Sequence, residues 1–277
     1  MKRLFILTFL VQSLILLCQK NIKIYYEQRN DTVAYYADNP EIFPVSVVFS
    51  SQPQLENMRK SEVFRITQVL PPKSVKNKVI YFVANDNTKR WKVTYMPGYS
   101  SFVGDVTLQA YDYNYQYNLP FQTGKAFNVF QGYNGTFSHQ NENSLDFTMP
   151  EGTEVTAARE GMVIQAVQNN NTGCPTISCA ELANYISILH SDGTIAQYFH
   201  LKQNGVKVNI GDRVKKGDVI GLSGNTGWSS GPHLHFVCFL PSSTRPKQRL
   251  TVKTLFATGD GKQVEYLAEK KTYSRNY

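Results

Sequence analysis

From Gln19 to about Asn118, short apolar and polar segments alternate, turn residues interrupt them often, and no helical period persists. That pattern predicts strands and no amphipathic helix. Trp91-Lys92-Val93-Thr94-Tyr95 alternates as a half-buried strand does, while the unbroken run Val79-Ile80-Tyr81-Phe82-Val83 predicts a strand buried on both faces. Pro71-Pro72 and Met96-Pro97-Gly98 punctuate them. About 100 residues of this kind suffice for a small β-sandwich with its own core. Tyr111, Tyr113, Tyr115 and Tyr117 occupy every second position, which predicts a stripe on one strand face ending at Asn118-Leu119-Pro120. Packing against the next unit is the favoured role for that stripe, ahead of stacking on sugar rings.

From Leu119 to Leu240 the pattern predicts strands at Met162–Val167, Asn184–Leu189 and Thr194–Leu201, with Ser191-Asp192-Gly193 as a tight turn between the last two. A polar excursion from Gln168 to Ala183 interrupts them. Val206–Val208, Asp212–Val214 and Val219–Leu222 complete a compact antiparallel sheet able to floor a groove. The tail, Pro241–Tyr277, offers a strand at Leu250–Phe256 and a Gly259-Asp260-Gly261 turn. Its apolar positions are too few for a core of its own, so it is expected to pack on the preceding units. The reading is all-β: residues 1–18 as a signal peptide, 19–118 as a β-sandwich-like domain, 119–240 as a second antiparallel β domain, and 241–277 as a β tail.

The first residues change the picture of where the chain works. Met1-Lys2-Arg3 precedes an apolar run from Leu4 to Cys18, the form of a secretory signal and too short for a comfortable membrane span. This points to export, to the periplasm, the cell envelope or the medium, with any membrane attachment running through this segment. Cys18 invites lipidation, which is not favoured because Leu17 stands where a small residue is wanted. The net charge of +8 suits anionic envelope polymers. No run of Lys and Arg interleaved with aromatics argues for nucleic acid. Cys174 and Cys179 can close a small loop as a disulfide; a zinc site is the competitor, but no second cysteine or histidine pair accompanies them. Cys238 is expected on the strand face of His235, inside an apolar run, as a buried small hydrophobe and not a nucleophile.

The chemistry gathers in Gly221–Leu240, GLSGNTGWSSGPHLHFVCFL. Strand alternation points His233 and His235 to one side, Leu234 and Phe236 to the other. The chain has five histidines, and the others are His139, His190 and His200. Asp146 to Ala157, Gly161-Met162-Val163, His190 to Thr194, Tyr198 to Leu201, Val208 to Gly217 and Gly224 to Phe236 occur in an order that resembles the lysostaphin-type, or LytM-like, zinc metallopeptidases of bacterial peptidoglycan. The resemblance covers about 120 residues, Leu119 to Leu240. One spacing departs from it: six residues, QNENSL, separate His139 from Asp146, where many relatives have three.

The resemblance implies that His139, Asp146 and His235 hold one Zn2+, and that His200 and His233 flank the open position. One of those two imidazoles would accept a proton from water and the other would support charge developing on the scissile carbonyl. His190, just before a hairpin turn, is expected to be structural, with a bond near the metal as the lesser alternative. Tyr198 is expected to line the groove on the same face as His200, and Asn184 and Ser223 to Ser230 to shape its walls. The function so implied is an exported zinc endopeptidase acting on peptide cross-bridges of peptidoglycan. A non-catalytic cell-wall binder or amidase activator on the same fold, or a secreted peptidase killing competitors or digesting glycine-rich proteins, are the alternatives. The short junction at Leu119 also suggests that the N-terminal unit occludes the groove.

Overall fold

The structure, a computed structural model, describes residues 21–95, 97–243 and 250–277, so the expected signal segment and Cys18 lie outside the described residues. Among those residues every regular element is a strand except the short 3-10 turn Ile177–Leu182. Lys23–Arg29, Thr32–Asn39, Ser74–Ala84 and Met58–Lys60 form one antiparallel sheet in that spatial order. Thr67–Leu70, Val45–Phe49 and Tyr99–Val103 form another. Val33, Val47, Phe49, Leu70, Ile80 and Phe82 belong to one apolar cluster drawn from both sheets. The run Val79–Val83 departs from its expectation. Ile80 and Phe82 are enclosed, but Tyr81 is 37% exposed, with the Lys78 ammonium over its ring. Two sheets facing each other bury one face of each, so alternate residues go to solvent.

The tyrosine stripe is not a strand face. The Asp112 side chain accepts from the Asn114 N–H and its carbonyl from the Tyr115 N–H, making a turn, and only Gln116–Asn118 is extended. An aspartate that bonds its own backbone two residues on breaks the alternation. Tyr113 is left exposed, while Tyr117 is buried against Phe236 and Phe256. The Arg159 guanidinium lies 3.9 Å over the Tyr115 ring and pairs with Asp192 at 2.8 Å. Three of the four tyrosines, Tyr111, Tyr115 and Tyr117, thus pack on the core of the larger sheet, the role favoured for them.

That sheet carries the site. Its spatial order is Arg213–Val214, Gly161–Val167, Tyr185–Leu189, Ile195–Phe199, Leu234–Leu240, Ser144–Phe147, Lys125–Gln131 and Thr272–Arg275, with Leu250–Thr251 also paired to Leu234–Leu240. All of these pairings are antiparallel. Leu145, Phe147, Tyr198, Leu234 and Phe236 are buried in one cluster behind it. Cys238 lies in that cluster too, with its thiol 3.5 Å from the Tyr117 hydroxyl, facing away from His235. It stands three residues beyond His235, and an odd offset on a strand reverses the face. Burial pushes its thiol up to about 11.

The tail is threaded into this architecture. The strand expected over Leu250–Phe256 is split into Leu250–Thr251, paired with Leu234–Leu240, and Leu255–Thr258, parallel to Gln116–Asn118. Its two halves serve different sheets, which a single straight strand cannot do. Phe43, Val45 and Val103 of the N-terminal region pack on Ile164, Ile195 and Phe239. Phe239 is four residues from His235, on the same strand face, so this contact braces the sheet beyond the site.

Candidate metal centre

The groove side of the sheet holds a row of residues in register across four adjacent strands: Gln131 opposite Asp146, Asp146 opposite His235, His235 opposite Phe199. Adjacent strands are about 4.8 Å apart, so paired side chains on one face touch. The Asp146 Oδ1 lies 2.8 Å from His235 Nδ1, and Oδ2 lies 3.2 Å from His139 Nε2. His139 Nε2 is itself 3.2 Å from His235 Nδ1. One donor atom from each of the three residues falls within 4.8 Å of the others. The turn 139–142, closed by the Glu142 N–H on the His139 carbonyl, absorbs the longer spacing between His139 and Asp146.

His139 is oriented by Nδ1, which donates to the Gly132 carbonyl at 3.1 Å and leaves Nε2 as the donor atom toward Asp146. Burial disfavours an ionised Asp146, but its bonds from His139 and His235 outweigh this and hold the carboxyl well below the usual range. Burial also opposes a proton on His139; Asp146 and the Gly132 carbonyl overcome it, so its pKa is raised. At His235 burial prevails over Asp146 and its pKa is lowered. A buried carboxylate facing two imidazoles needs positive charge nearby, which a proton or a divalent cation supplies. Two nitrogens and one carboxylate oxygen, Asp146 and His235 on adjacent strands and His139 on a loop, suit Zn2+ in donor chemistry and number.

His200 and His233 stand beside this triad, ring centroids 4.5 Å apart. His200 follows the last residue of the Ile195–Phe199 strand with φ of 64°, the left-handed region that a residue with a Cβ seldom adopts. That reversal changes which neighbours face the groove. Tyr198 is fully buried, its hydroxyl accepting the Ala158 N–H, and it does not line the groove as expected. Phe199 does, with its ring 5.7 Å from His235. His200 Nδ1 donates to the Thr226 carbonyl at 2.7 Å, and His233 Nδ1 to the Gly231 carbonyl at 2.8 Å. With each Nδ1 committed to a carbonyl, Nε2 is the ring nitrogen left for other partners. Burial, with His233 and His235 adding to it, pushes the His200 pKa down to about 3. His233 Nε2 is 3.8 Å from Asp146 Oδ1.

The groove around these side chains has a volume of about 340 Å³ and is lined by residues between Phe130 and His235. Among the described residues the N-terminal region supplies no part of that lining. Phe130 and Phe137 form an exposed apolar rim on one side. Trp228, Ser229, Ser230 and the loop bearing Pro175 and Ile177 stand among the lining residues too. Cys174 and Cys179 are bonded, and Trp228 Nε1 donates to the Pro175 carbonyl at 3.2 Å. Asn184 is fully buried and not a wall residue; its amide donates to the Asn170 and Leu201 carbonyls. Ser223 is likewise buried, donating to the Pro150 carbonyl.

His190 sits outside the groove, buried against Tyr117, with Nδ1 donating to the Glu160 carbonyl at 2.7 Å. The lesser alternative, a bond near the metal, is not realised. Burial, opposed by the Glu160 carbonyl and reinforced by Arg159, lowers its pKa to about 4. In the unfolded chain it titrates near 6.5. Below that pH the unfolded state binds a proton the folded state excludes, so stability present above pH 6.5 is lost as pH falls toward 4. Urea unfolding of wild type and His190→Gln is expected to show about 2–3 kcal/mol more loss for wild type between pH 7.5 and 4.5. Equal losses would mean that His190 does not set this acid sensitivity.

Residues 140–244 match the model of Peptidase family M23. These residues form a Peptidase family M23 domain. The M23 segment is 42% identical over 97 residues to glycyl-glycine endopeptidase ALE-1 of Staphylococcus capitis, covering 35% of this chain and 24% of the relative. Peptidoglycan DD-endopeptidase ShyA of Vibrio cholerae is 29% identical over 129 residues, covering 47% of this chain and 27% of the relative. The chain thus spans about a quarter of these curated relatives. The solved catalytic domain of lysostaphin from Staphylococcus simulans is similar at 31% identity and a TM-score of 0.33, over 45% of this chain and 87% of that one.

Proposed function

We propose that this chain is an exported zinc endopeptidase that hydrolyses peptide bonds of peptidoglycan. The observation that carries the reading is the convergence of His139, Asp146 and His235 beside His200 and His233 in one open groove. In this proposal the first three hold Zn2+. When bound, the cation supplies a Lewis acid that polarises the scissile carbonyl and acidifies the attacking water. The chain's own residues do the rest. Asp146 and His235 fix the site on adjacent strands, and His139 joins them from a loop held at the Gly132 carbonyl. Of His200 and His233, each held through Nδ1, one accepts at Nε2 the proton given up by the attacking water and delivers it to the leaving amine as the C–N bond breaks, while the other, carrying at Nε2 a proton taken from solvent, donates a hydrogen bond to the oxygen gaining charge.

Similarity to a peptidoglycan DD-endopeptidase and to a glycyl-glycine endopeptidase supports a peptidoglycan peptide as substrate, and the leader-like sequence of residues 1–18 supports export. An apolar cluster drawn from Val33 to Phe82 supports an N-terminal β domain within 19–118, and a second cluster, which takes in Tyr117, supports a peptidase domain over 119–240, with 241–277 completing its sheet. Mass spectrometry of soluble peptides released from purified sacculi tests the function, using the zinc-loaded chain with His235→Ala in parallel. Cross-bridge fragments from the wild type alone are expected. Fragments from both proteins, or from neither, would sink the proposal.

A further inference from the structure

We propose that Gln131 is a positioning residue of the metal centre, holding the Asp146 carboxylate directly and the His139 loop through its backbone. The inference rests on the metal reading above and adds to it a residue that does not itself bind the cation.

The placement of Gln131 comes from an irregularity in the sheet. Val129 pairs with Phe147, and an unbroken antiparallel register would set residue 131 opposite Leu145. Instead the register shifts between Val129 and Gln131, and Gln131 falls opposite Asp146. A bulge adds one residue to one strand and re-aims the side chains beyond it. Here Phe130 is the extra residue and goes out to the groove rim, 61% exposed, while Gln131 turns inward at 3%.

Its amide is fully used. Oε1 accepts from the N–H of Phe137 at 3.2 Å and of Ser138 at 3.0 Å. Nε2 donates to Ser138 Oγ at 2.8 Å and to Asp146 Oδ2 at 3.2 Å. The two backbone donors fix which end of the amide is oxygen, so a donor necessarily faces the carboxylate. Oδ2 is the same oxygen that meets His139 Nε2, and the next carbonyl along the chain, Gly132, takes His139 Nδ1–H. One side chain and its neighbouring peptide thus set the rotation of Asp146, the path of residues 137–139 and the ring of His139.

Partners of metal ligands typically change affinity by about 10–100-fold when removed. Gln131→Met removes all four bonds. Gln131→Glu keeps the acceptor toward the two backbone N–H groups and the side-chain length, but removes the amide donor from Asp146. Ser138→Ala removes one hydroxyl partner and leaves the Asp146 contact. Zn2+ affinity is read by competition with a chromophoric chelator, the visible spectrum of the Co2+-loaded protein reports ligand geometry, and thermal unfolding of the metal-free protein reports the fold. Gln131→Met and Gln131→Glu are expected to bind Zn2+ about 10–100-fold more weakly with an altered Co2+ spectrum, and Ser138→Ala to stay within about threefold of wild type. If Gln131→Met does not fold, Gln131→Glu decides alone. Gln131→Glu with wild-type affinity and spectrum, or Ser138→Ala as damaged as the Gln131 variants, overturns the proposal. A wild type that takes up no Zn2+ overturns the metal reading along with it, whereas failure to release sacculus peptides by a protein that binds Zn2+ touches only the proposed activity.

Discussion

Asp146→Ala is expected to leave the protein without stoichiometric zinc and without peptidase activity. Asp146 is the central residue of the triad, touching His235 at 2.8 Å and His139 at 3.2 Å with different oxygens. Removing it leaves two imidazoles, too few for tight Zn2+ binding. It also removes the acceptor that both rings face. The expected loss is the whole of the rate enhancement, roughly 8 kcal/mol or more of barrier lowering. Metal analysis of the dialysed variant, read beside peptide release, checks this, and His235→Ala is expected to behave the same way. A full equivalent of zinc in Asp146→Ala would remove Asp146 from the ligand set.

His200→Ala and His233→Ala are expected to separate binding from chemistry. Neither imidazole belongs to the triad, and each is anchored by Nδ1 on a backbone carbonyl at the groove surface. Each variant should keep about one zinc per chain while kcat falls about 100- to 10,000-fold, the usual worth of a positioned proton donor or acceptor. In the proposed mechanism the two rings serve one transition state, so the double variant is expected to lose little beyond the worse single one. Strict multiplication of the two losses would mean that they act independently. His200 has a second constraint: its left-handed φ is tolerated in a position fixed by the Thr226 carbonyl and by neighbouring rings. Strain kept at such a place is commonly part of how a site is held ready.

Much of this site is legible in the amino-acid sequence. The alternation in His233-Leu234-His235-Phe236 puts both imidazoles on one face and both apolar residues in the core, where Leu234 and Phe236 are found. The ordered motifs pick out His139, Asp146, His200 and His235, and the fold brings all four together with His233. The disulfide favoured for Cys174 and Cys179 over a zinc site is formed, and the loop it closes walls the groove through Pro175 and Ile177. The departures share a physical cause, a local break in alternation. Counting two back from His200 places Tyr198 in the groove, and the positive φ at His200 makes that count fail. Gln131 and Phe130 carry no signal as a polar and an apolar residue at the end of a strand, because only the bulge assigns their faces. The tyrosine stripe fails because Asp112 turns the chain within it.

The sequence by itself determined the kinds of residue, the all-β architecture and the face on which most strand residues lie, because these follow from short-range alternation and from the chemistry of the side chains. The tertiary structure alone decided which of those faces meet. The row Gln131, Asp146, His235 and Phe199 crosses four strands far apart in sequence, and its register is set by pairing along the whole sheet. A bulge, a left-handed residue and a tail strand that pairs with Lys125–Gln131 are outcomes of long-range packing, whose energies no local window contains.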